Sequence, residues 1–351
     1  MSLNINTSVT RVGAKTLFHK RFMTNKSHLI SQPFNTENTR IIRESNKKFP
    51  PPKFISFDLF GTLYKPKKSV PEQYYEISHD EFGINKSIEL IKADFPKVYK
   101  QMQHEFPNYG KGRPQFEHCD LWWQELVIRL YNLDRHDDEA RALCHRLIHH
   151  FTSKEAYDLY PDVVPTLEGL KRHGVKVFVA SNSDLRALTI LESLGIKQFF
   201  QCMENFHCSN IFLSYDYDIG KPEKTFFDKV ALQAYRSKVD PRYRGRTPPV
   251  DYLSGCWHVG DDHGQDFIAA IRAGWNGVLL DRDGTNELSE GMRRRNKPEH
   301  DSCYMSVQQQ QQQQQLHHTN GEDELDGPLI LANNRIVISS LDQLLVLFDW
   351  E

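Results

Sequence analysis

The sequence predicts an α/β fold, a Rossmannoid parallel sheet covered by helices, with an inserted α-helical cap. Three observations carry this reading. Strand-sized apolar runs at 54–57, 175–180, 257–259 and 277–280 alternate with helical segments, the rhythm of a doubly wound sheet. Residues 70–158 break that rhythm with helical spacing alone. Polar groups follow the apolar runs directly, where a parallel sheet collects its reactive side chains, beyond the carboxyl ends of the strands.

Taken in order, Pro50, Pro51 and Pro52 close a leader over 1–50, because consecutive prolines cannot continue a helix. Phe54, Ile55, Ser56 and Phe57 then read as a buried strand ending at Asp58, with a turn at Gly61 and Thr62, so the core begins over 53–69. The cap, 70–158, carries apolar residues at helical spacing: Ile88, Ile91 and Phe95; Leu121, Leu126 and Leu130; Leu143, Leu147 and Phe151. Turn signals concentrate at 107–114, which implies about four helices.

The core resumes over 159–282. Pro161 and Asp162 start a helix with Val163, Val164, Leu167 and Leu170 on one face, and Gly174 stops it. Residues 175–180 suit a parallel strand buried on both faces. A helix from Asp184, a strand at 211–215 and a helix from Glu223 follow. Next come a strand at 257–259, a helix ending at Gly274 and a strand at 277–280. Residues 283–328 hold Arg293–Arg295, glutamines throughout 308–315 and an acidic patch at 322–326. That composition is too poor in apolar residues to fold alone; it suits a tolerated surface expansion or an interaction segment. A closing strand at 335–339 and helix at 341–348 complete the core over 335–349.

Charge is unevenly spread. Residues 1–53 carry ten Lys or Arg and two acids, a balance of +8, whereas the remainder balances at −10. An acidic body lacks the basic surface that neutralises phosphates, so no nucleic-acid partner is expected. No apolar run approaches the ~20 residues of a bilayer span, so no membrane insertion is expected. The leader holds Arg11, Lys15, Lys20, Arg21 and Lys26, and no acid before Glu37. That is the composition of a mitochondrial presequence, and it implies the import machinery as a partner and the matrix as location; a basic tail without an address, and a cytoplasmic protein, is the alternative. Cys119, Cys144, Cys202, Cys208, Cys256 and Cys303 form no C-x-x-C pair, which argues against structural zinc and for reduced thiols.

Four features fall at the expected strand ends: Asp58-Leu59-Phe60-Gly61-Thr62; Ser181-Asn182-Ser183; Gly220-Lys221-Pro222; and Gly260-Asp261-Asp262-His263-Gly264-Gln265-Asp266. Singly each is compatible with a cap or a turn. In this order the chain resembles the haloacid dehalogenase-like (HAD) hydrolase superfamily, over 53–282 and the closing element, and the helical insert resembles that superfamily's C1 cap. Within it, residues 57–64 and 71–75 resemble the branch of haloacid dehalogenase-like hydrolase domain-containing protein 3 and its fungal mitochondrial relatives.

The resemblance implies a nucleophilic role for Asp58, whose carboxylate can form a covalent intermediate that water later cleaves. A carboxylate attacking a phosphomonoester meets like charge. Asp58, Asp261 and the main-chain carbonyl of Phe60 are therefore expected to hold Mg²⁺, with Asp266 as an outer ligand or orienter. Asp262 reads as a helix-start acid. Ser181 would bond a phosphoryl oxygen, Lys221 would neutralise charge around Asp58, and Thr62, Gly61 and Asn182 would shape the pocket for a small-molecule substrate.

One departure stands out. Phosphatases of the superfamily keep a second aspartate two residues after the nucleophile as general acid and base, and here that position is Phe60. General acid–base catalysis contributes about 10²–10⁴-fold; His79, His104 or His118 of the cap could substitute, although a cap histidine is more often an ordinary surface residue. An aromatic there resembles the 2-haloacid dehalogenases, whose halide leaves without a proton, yet Asp261 and Asp266 would repel a carboxylate substrate unless a cation were present. Trp122 and Trp123 read as core aromatics or a substrate entrance, and His258 as a buried strand residue. The expected function is a HAD-like hydrolase using Asp58 and Mg²⁺ on a small phosphorylated metabolite. The alternatives are a catalytically degenerate binding protein and, third, a 2-haloacid dehalogenase.

Overall fold

Strand β1 (Phe54–Phe57) sits inside a seven-stranded sheet because all four of its residues are buried, with helices packed over both faces. The computed structural model describes residues 48–201, 210–286, 288 and 327–350. Residues 1–47 of the leader, the Arg293–Arg295 run, the glutamine tract, the acidic patch at 322–326, Cys202, Cys208 and Cys303 lie outside the described residues.

After β1 come β2 (Tyr64–Pro66), β3 (Tyr157–Leu159), β4 (Val177–Ser181) and β5 (Ile211–Leu213). β6 (Cys256–Gly260), β7 (Asn276–Leu280), β8 (Leu329–Ala332) and β9 (Arg335–Ile338) complete the set. The sheet order is β5-β4-β1-β6-β7-β9-β8. Every pairing in it is parallel except β8 with β9. The expected parallel sheet is thus present, with an antiparallel strand added at one edge. Its signal was present, since Leu329–Leu331 are buried ahead of a turn at Asn333 and Asn334. The strand expected at 211–215 stops at Leu213, and Ser214–Tyr217 coils into a helical turn. That turn brings Gly220 and Lys221 back over the sheet's carboxyl end.

Between the antiparallel pair β2 and β3 the chain forms a helical insertion. Its helices are α1 (Val70–Glu76), α2 (Ile88–Glu105), α3 (Cys119–Tyr131) and α4 (Asp138–His150). Ser69 and Glu72 form a capping box on α1, and Ser87 and Asp137 cap α2 and α4. Trp122, Leu126, Leu143 and Leu147 are buried in the insertion's core. On the sheet's flanks lie α5 (Val163–Arg172), α6 (Arg186–Ser193), α7 (Lys224–Lys238) and α8 (Gln343–Leu347). No helix among the described residues is long and apolar enough to cross a membrane.

Phe49, which the sequence places in the leader, belongs to the core. It is buried, packs edge-on against Trp257 at 5.3 Å, and exchanges backbone hydrogen bonds with Leu347 and Asp349 at 2.9 and 2.8 Å. Its aromatic ring supplies apolar area that the three following prolines obscured in the sequence pattern.

Candidate active site

The carboxyl ends of β1, β4 and β6 converge. Asp58 directly follows β1 and its N–H donates to Val259 O at 2.9 Å, which ties it to β6. Lys221 is buried, and its Nζ donates to Asp58 Oδ1 and to Asp266 Oδ1, each at 2.5 Å. Asn182 holds that lysine's loop: its amide nitrogen donates to Lys221 O at 2.7 Å and Gln265 Oε1 at 2.8 Å, while its oxygen accepts from Lys221 N at 2.8 Å. Its side chain is thus spent on framing Lys221. Ser181 ends β4 with its hydroxyl 2.9 Å from that of Ser183.

Asp58, Asp261 and Asp266 each offer an oxygen, all within 4.8 Å of one another. The turn at Gly61 makes this possible. Gly61 has φ +83°, and a Cβ there would lie 2.4 Å from Asp261 Oδ2, so only glycine gives both the conformation and the room. Thr62, fully buried, donates from Oγ1 to Asp261 Oδ1 at 3.1 Å and so orients the carboxylate. Phe60 forms a β-bridge with Tyr64 through its main chain.

Charge in the cluster is unbalanced. Three carboxylates face one ammonium, and burial pulls the His258 pKa down, against the pull of Asp266, which favours the neutral ring. Burial pushes Asp58 above its ordinary value despite Lys221. Burial, with Asp58 and Asp266 nearby, raises Asp261 to about 6. Burial would raise Asp266 as well, but Lys221 and His258 outweigh it and hold that carboxyl well below the usual range. Burial would lower Lys221, yet Asp266 and Asp58 keep it charged. Hard oxygen donors short of positive charge fit a divalent cation such as Mg²⁺.

His258, a fully buried strand residue, supports this cluster from beneath. Its Nε2 lies 3.0 Å from Asp266 Oδ1 and its Nδ1 2.8 Å from Ser56 Oγ. Nε2 is placed to donate to the ionised Asp266, while the Ser56 hydroxyl also donates to Trp257 O at 3.2 Å. Asp262 accepts from Gly264 N and Gln265 N, both at 2.7 Å, and so acts as a helix-start acid.

A cavity of about 710 Å³ opens above Asp58, Ser181, Lys221 and Asp261. From the insertion, Tyr99, Gln103, Asn108 and Tyr109 line it. His79, His104 and His118 are exposed and none of them lines it. Phe60 lines it with a half-exposed ring, edge-on to Tyr64 and Tyr157 at 6.2 and 6.5 Å. Asn108, Tyr109 and Gly110 all have left-handed backbones, costly for the first two. Tyr109 donates from its hydroxyl to Asn182 O at 3.2 Å and Asn108 from its amide to Asp218 at 3.0 Å. The turn residues at 107–114 were the available signal, but read only as a break between helices. Trp122 is core, whereas Trp123 reaches the sheet, donating from Nε1 to Asp184 Oδ2 at 2.7 Å.

Comparison with known proteins identifies the family. A family model for haloacid dehalogenase-like hydrolases matches residues 52–274. The chain is 29% identical over 303 residues to Uncharacterized protein YMR130W of Saccharomyces cerevisiae, covering 85% of this chain and 93% of that one. It is 30% identical over 234 residues to Haloacid dehalogenase-like hydrolase domain-containing protein 3 of Danio rerio, covering 66% and 86%. Among solved structures, a HAD phosphatase from Thermococcus onnurineus aligns with TM-score 0.40 at 20% identity, over 66% of this chain and 88% of that one. A 2-haloacid dehalogenase from Pseudomonas syringae pv. Tomato DC3000 aligns with TM-score 0.44 at 20% identity, over 68% and 89%. With its family match spanning most of the described core, the chain belongs to the haloacid dehalogenase-like hydrolase superfamily, in the branch of domain-containing protein 3.

Proposed function

We propose that the protein is a Mg²⁺-dependent hydrolase that uses Asp58 as nucleophile on a small phosphorylated metabolite enclosed between the sheet and the helical insertion, a C1-type cap. The observation that carries this reading is the under-neutralised carboxylate cluster, with Lys221 bridging Asp58 and Asp266 at the floor of the cavity. Asp58, Asp261 and Asp266 would hold Mg²⁺, whose charge lets a carboxylate approach a phosphoryl group. Lys221 grips Asp58 Oδ1 and leaves Oδ2 for attack. Asp58 then takes the phosphoryl group as an acyl phosphate, and the bond from phosphorus to the leaving oxygen breaks. Ser181 stands beside the nucleophile to donate to a phosphoryl oxygen. The hydrogen bond from Tyr109 to Asn182 fastens the insertion to the sheet beside the cavity.

Phe60 shapes both steps. With no carboxylic acid at that position and no insertion histidine lining the cavity, the leaving oxygen takes its proton from water. Rates therefore fall steeply as the leaving group becomes more basic, and the acyl phosphate is long-lived. The same residue favours a second reading, a family member that binds a metabolite without turning it over. The leader's composition supports import into the mitochondrial matrix, which residues 1–40 fused to a reporter would test; a cytosolic reporter contradicts it.

The deciding experiment is hydrolysis of aryl, acyl and alkyl phosphates by residues 46–351, with Mg²⁺ or EDTA, against Asp58→Asn. Metal-dependent turnover, fastest on aryl and acyl phosphates and lost in the variant, is the expected result. Turnover no greater than that of Asp58→Asn on every ester would leave the binding reading.

A further inference from the structure

Arg282 follows β7 by two residues and reaches the turn that carries Gly61 and Thr62. Its Nη2 donates to Thr62 O at 2.9 Å and to Asp162 Oδ1 at 3.1 Å, while Nη1 donates to Asp162 Oδ2 at 2.7 Å. The guanidinium also lies 3.7 Å over the Tyr160 ring. Asp162 stands at the start of α5, yet its side chain makes no capping bond there. Its Oδ2 instead accepts from Ser340 Oγ at 2.9 Å and from Leu341 N at 2.7 Å, at the entry to α8. The Arg282 and Asp162 side chains are 16% and 10% exposed, so the pair is shielded from the solvent that weakens surface ion pairs.

Fastening α8 does not account for the arginine, because Asp162 reaches that helix through two bonds of its own. The placement also carries a cost, since Arg282 Nε is buried with no hydrogen-bond partner among the described residues. A lysine would neutralise Asp162 without that orphan donor. What the planar fork adds is a second fixed direction, and that direction ends on Thr62 O.

The position of that carbonyl bears on the carboxylate cluster. The Thr62 hydroxyl donates to Asp261 Oδ1 at 3.1 Å. A β-branched side chain is stiff at χ1, so the hydroxyl moves with its backbone. Within the turn that backbone is lightly held. Thr62 N reaches Leu59 O only at 3.2 Å, and the preceding Gly61 is left-handed with no Cβ to restrict it. The clamp comes from outside the turn: Arg282 on Thr62 O, and Tyr160, which stacks on Arg282 and whose N–H donates to Leu63 O at 3.2 Å.

We infer that Arg282 is a positioning residue of the metal centre. Through the Thr62 carbonyl it fixes the Thr62 hydroxyl, and through that hydroxyl it holds the Asp261 carboxylate ready for Mg²⁺, with Asp162 and Tyr160 keeping the guanidinium in place. This rests on the reading of Asp58, Asp261 and Asp266 as the residues that hold Mg²⁺.

Calorimetric titration of Mg²⁺ into the full chain tests the role. Arg282→Met, which keeps the length of the side chain without its donors, should raise the Kd on the order of tenfold. Thr62→Val, which removes the hydroxyl and keeps the β-branch, should raise it at least as much. In the Thr62→Val background Arg282→Met should add roughly twofold at most, because both changes act through one contact. Arg282→Lys, which keeps the charge but not the planar fork, should raise the Kd by a smaller factor, and it carries the same comparison if the methionine variant fails to fold. Leu344→Ala, a buried truncation on α8, should lower the melting temperature and leave the Kd unchanged, which separates positioning from general loosening. Wild-type affinity in the Arg282 variants, an equal loss with and without the Thr62 hydroxyl, or an equal loss in Leu344→Ala overturns the proposal. A wild-type chain that takes up no Mg²⁺ overturns the reading of the carboxylate cluster and this role with it, whereas Mg²⁺ binding indifferent to Arg282 overturns this role alone.

Discussion

Replacing Lys221 with methionine removes one charge from the site while nearly preserving side-chain volume. Lys221 and Asp266 side chains are 3% and 2% exposed, and that of Asp58 12%. Both carboxylates would lose their shared cation without gaining water. Breaking a buried ion pair on one side costs about 3–5 kcal/mol, and at roughly 2–4 °C per kcal/mol for a domain of this size the melting temperature in EDTA should fall by about 10 °C at pH 8. The pH dependence gives the sharper signature. In the wild-type protein Asp266 is held below its ordinary value, so its stabilisation is present above that value and lost as acid protonates it. In Lys221→Met burial dominates at both carboxylates and raises their folded values. The variant's deficit should then be largest at pH 8 and shrink towards pH 5, where protonation relieves the unpaired charge. Mg²⁺ should also recover part of it. Thermal melts at both pH values, with Mg²⁺ and with EDTA, measure this. A deficit equal at pH 5 and pH 8, or none at pH 8, would refute the reasoning.

Further outcomes follow from the same geometry. Because Asp261 titrates near 6 without metal, Mg²⁺ binding must displace a proton below that pH. The apparent Kd should therefore rise by up to about tenfold per pH unit below 6 and level off above 7.5. Calorimetry in buffers of different ionisation enthalpy reads this, and a Kd unchanged between pH 5 and 7 contradicts it. Gly61→Ala should cost about 1–2 kcal/mol for its left-handed backbone and weaken Mg²⁺ binding roughly 10–100-fold by displacing Asp261. Gly83→Ala, also left-handed but with open space at its Cβ, should show only the backbone cost in a melt. Phe49→Ala should destabilise by about 3 kcal/mol. A chain beginning at Pro51 should lose about as much as Phe49→Ala relative to one beginning at Asn46.

Legibility in the sequence followed burial and locality. Strands β1 and β4 are buried at every position, so they stood out as unbroken apolar runs, and parallel topology then placed Asp58, Ser181, Lys221 and Asp261 at one end. The three-residue strands β2 and β3 are too short to carry a period. β8 is an edge strand whose only cue lay beyond a low-complexity segment. Roles set by tertiary contact were hidden as well. Nothing local announces that Thr62 orients Asp261, that Asn182 frames Lys221, or that Trp123 reaches Asp184 across 61 residues of chain. The insertion's cavity-lining residues depend on how α2 and the 106–113 turn dock, which spacing within a helix does not encode.

The most direct test of Asp58 as a covalent nucleophile is mass spectrometry of acid-quenched protein after mixing with acetyl phosphate or the best aryl phosphate and Mg²⁺. Since Phe60 leaves the second step without a base, the acyl phosphate should accumulate. The expected result is a hydroxylamine-labile phosphoryl group on the peptide containing Asp58, absent with EDTA and absent in Asp58→Asn. Metal-dependent turnover that proceeds without any adduct at Asp58, or that persists in Asp58→Asn, would contradict it.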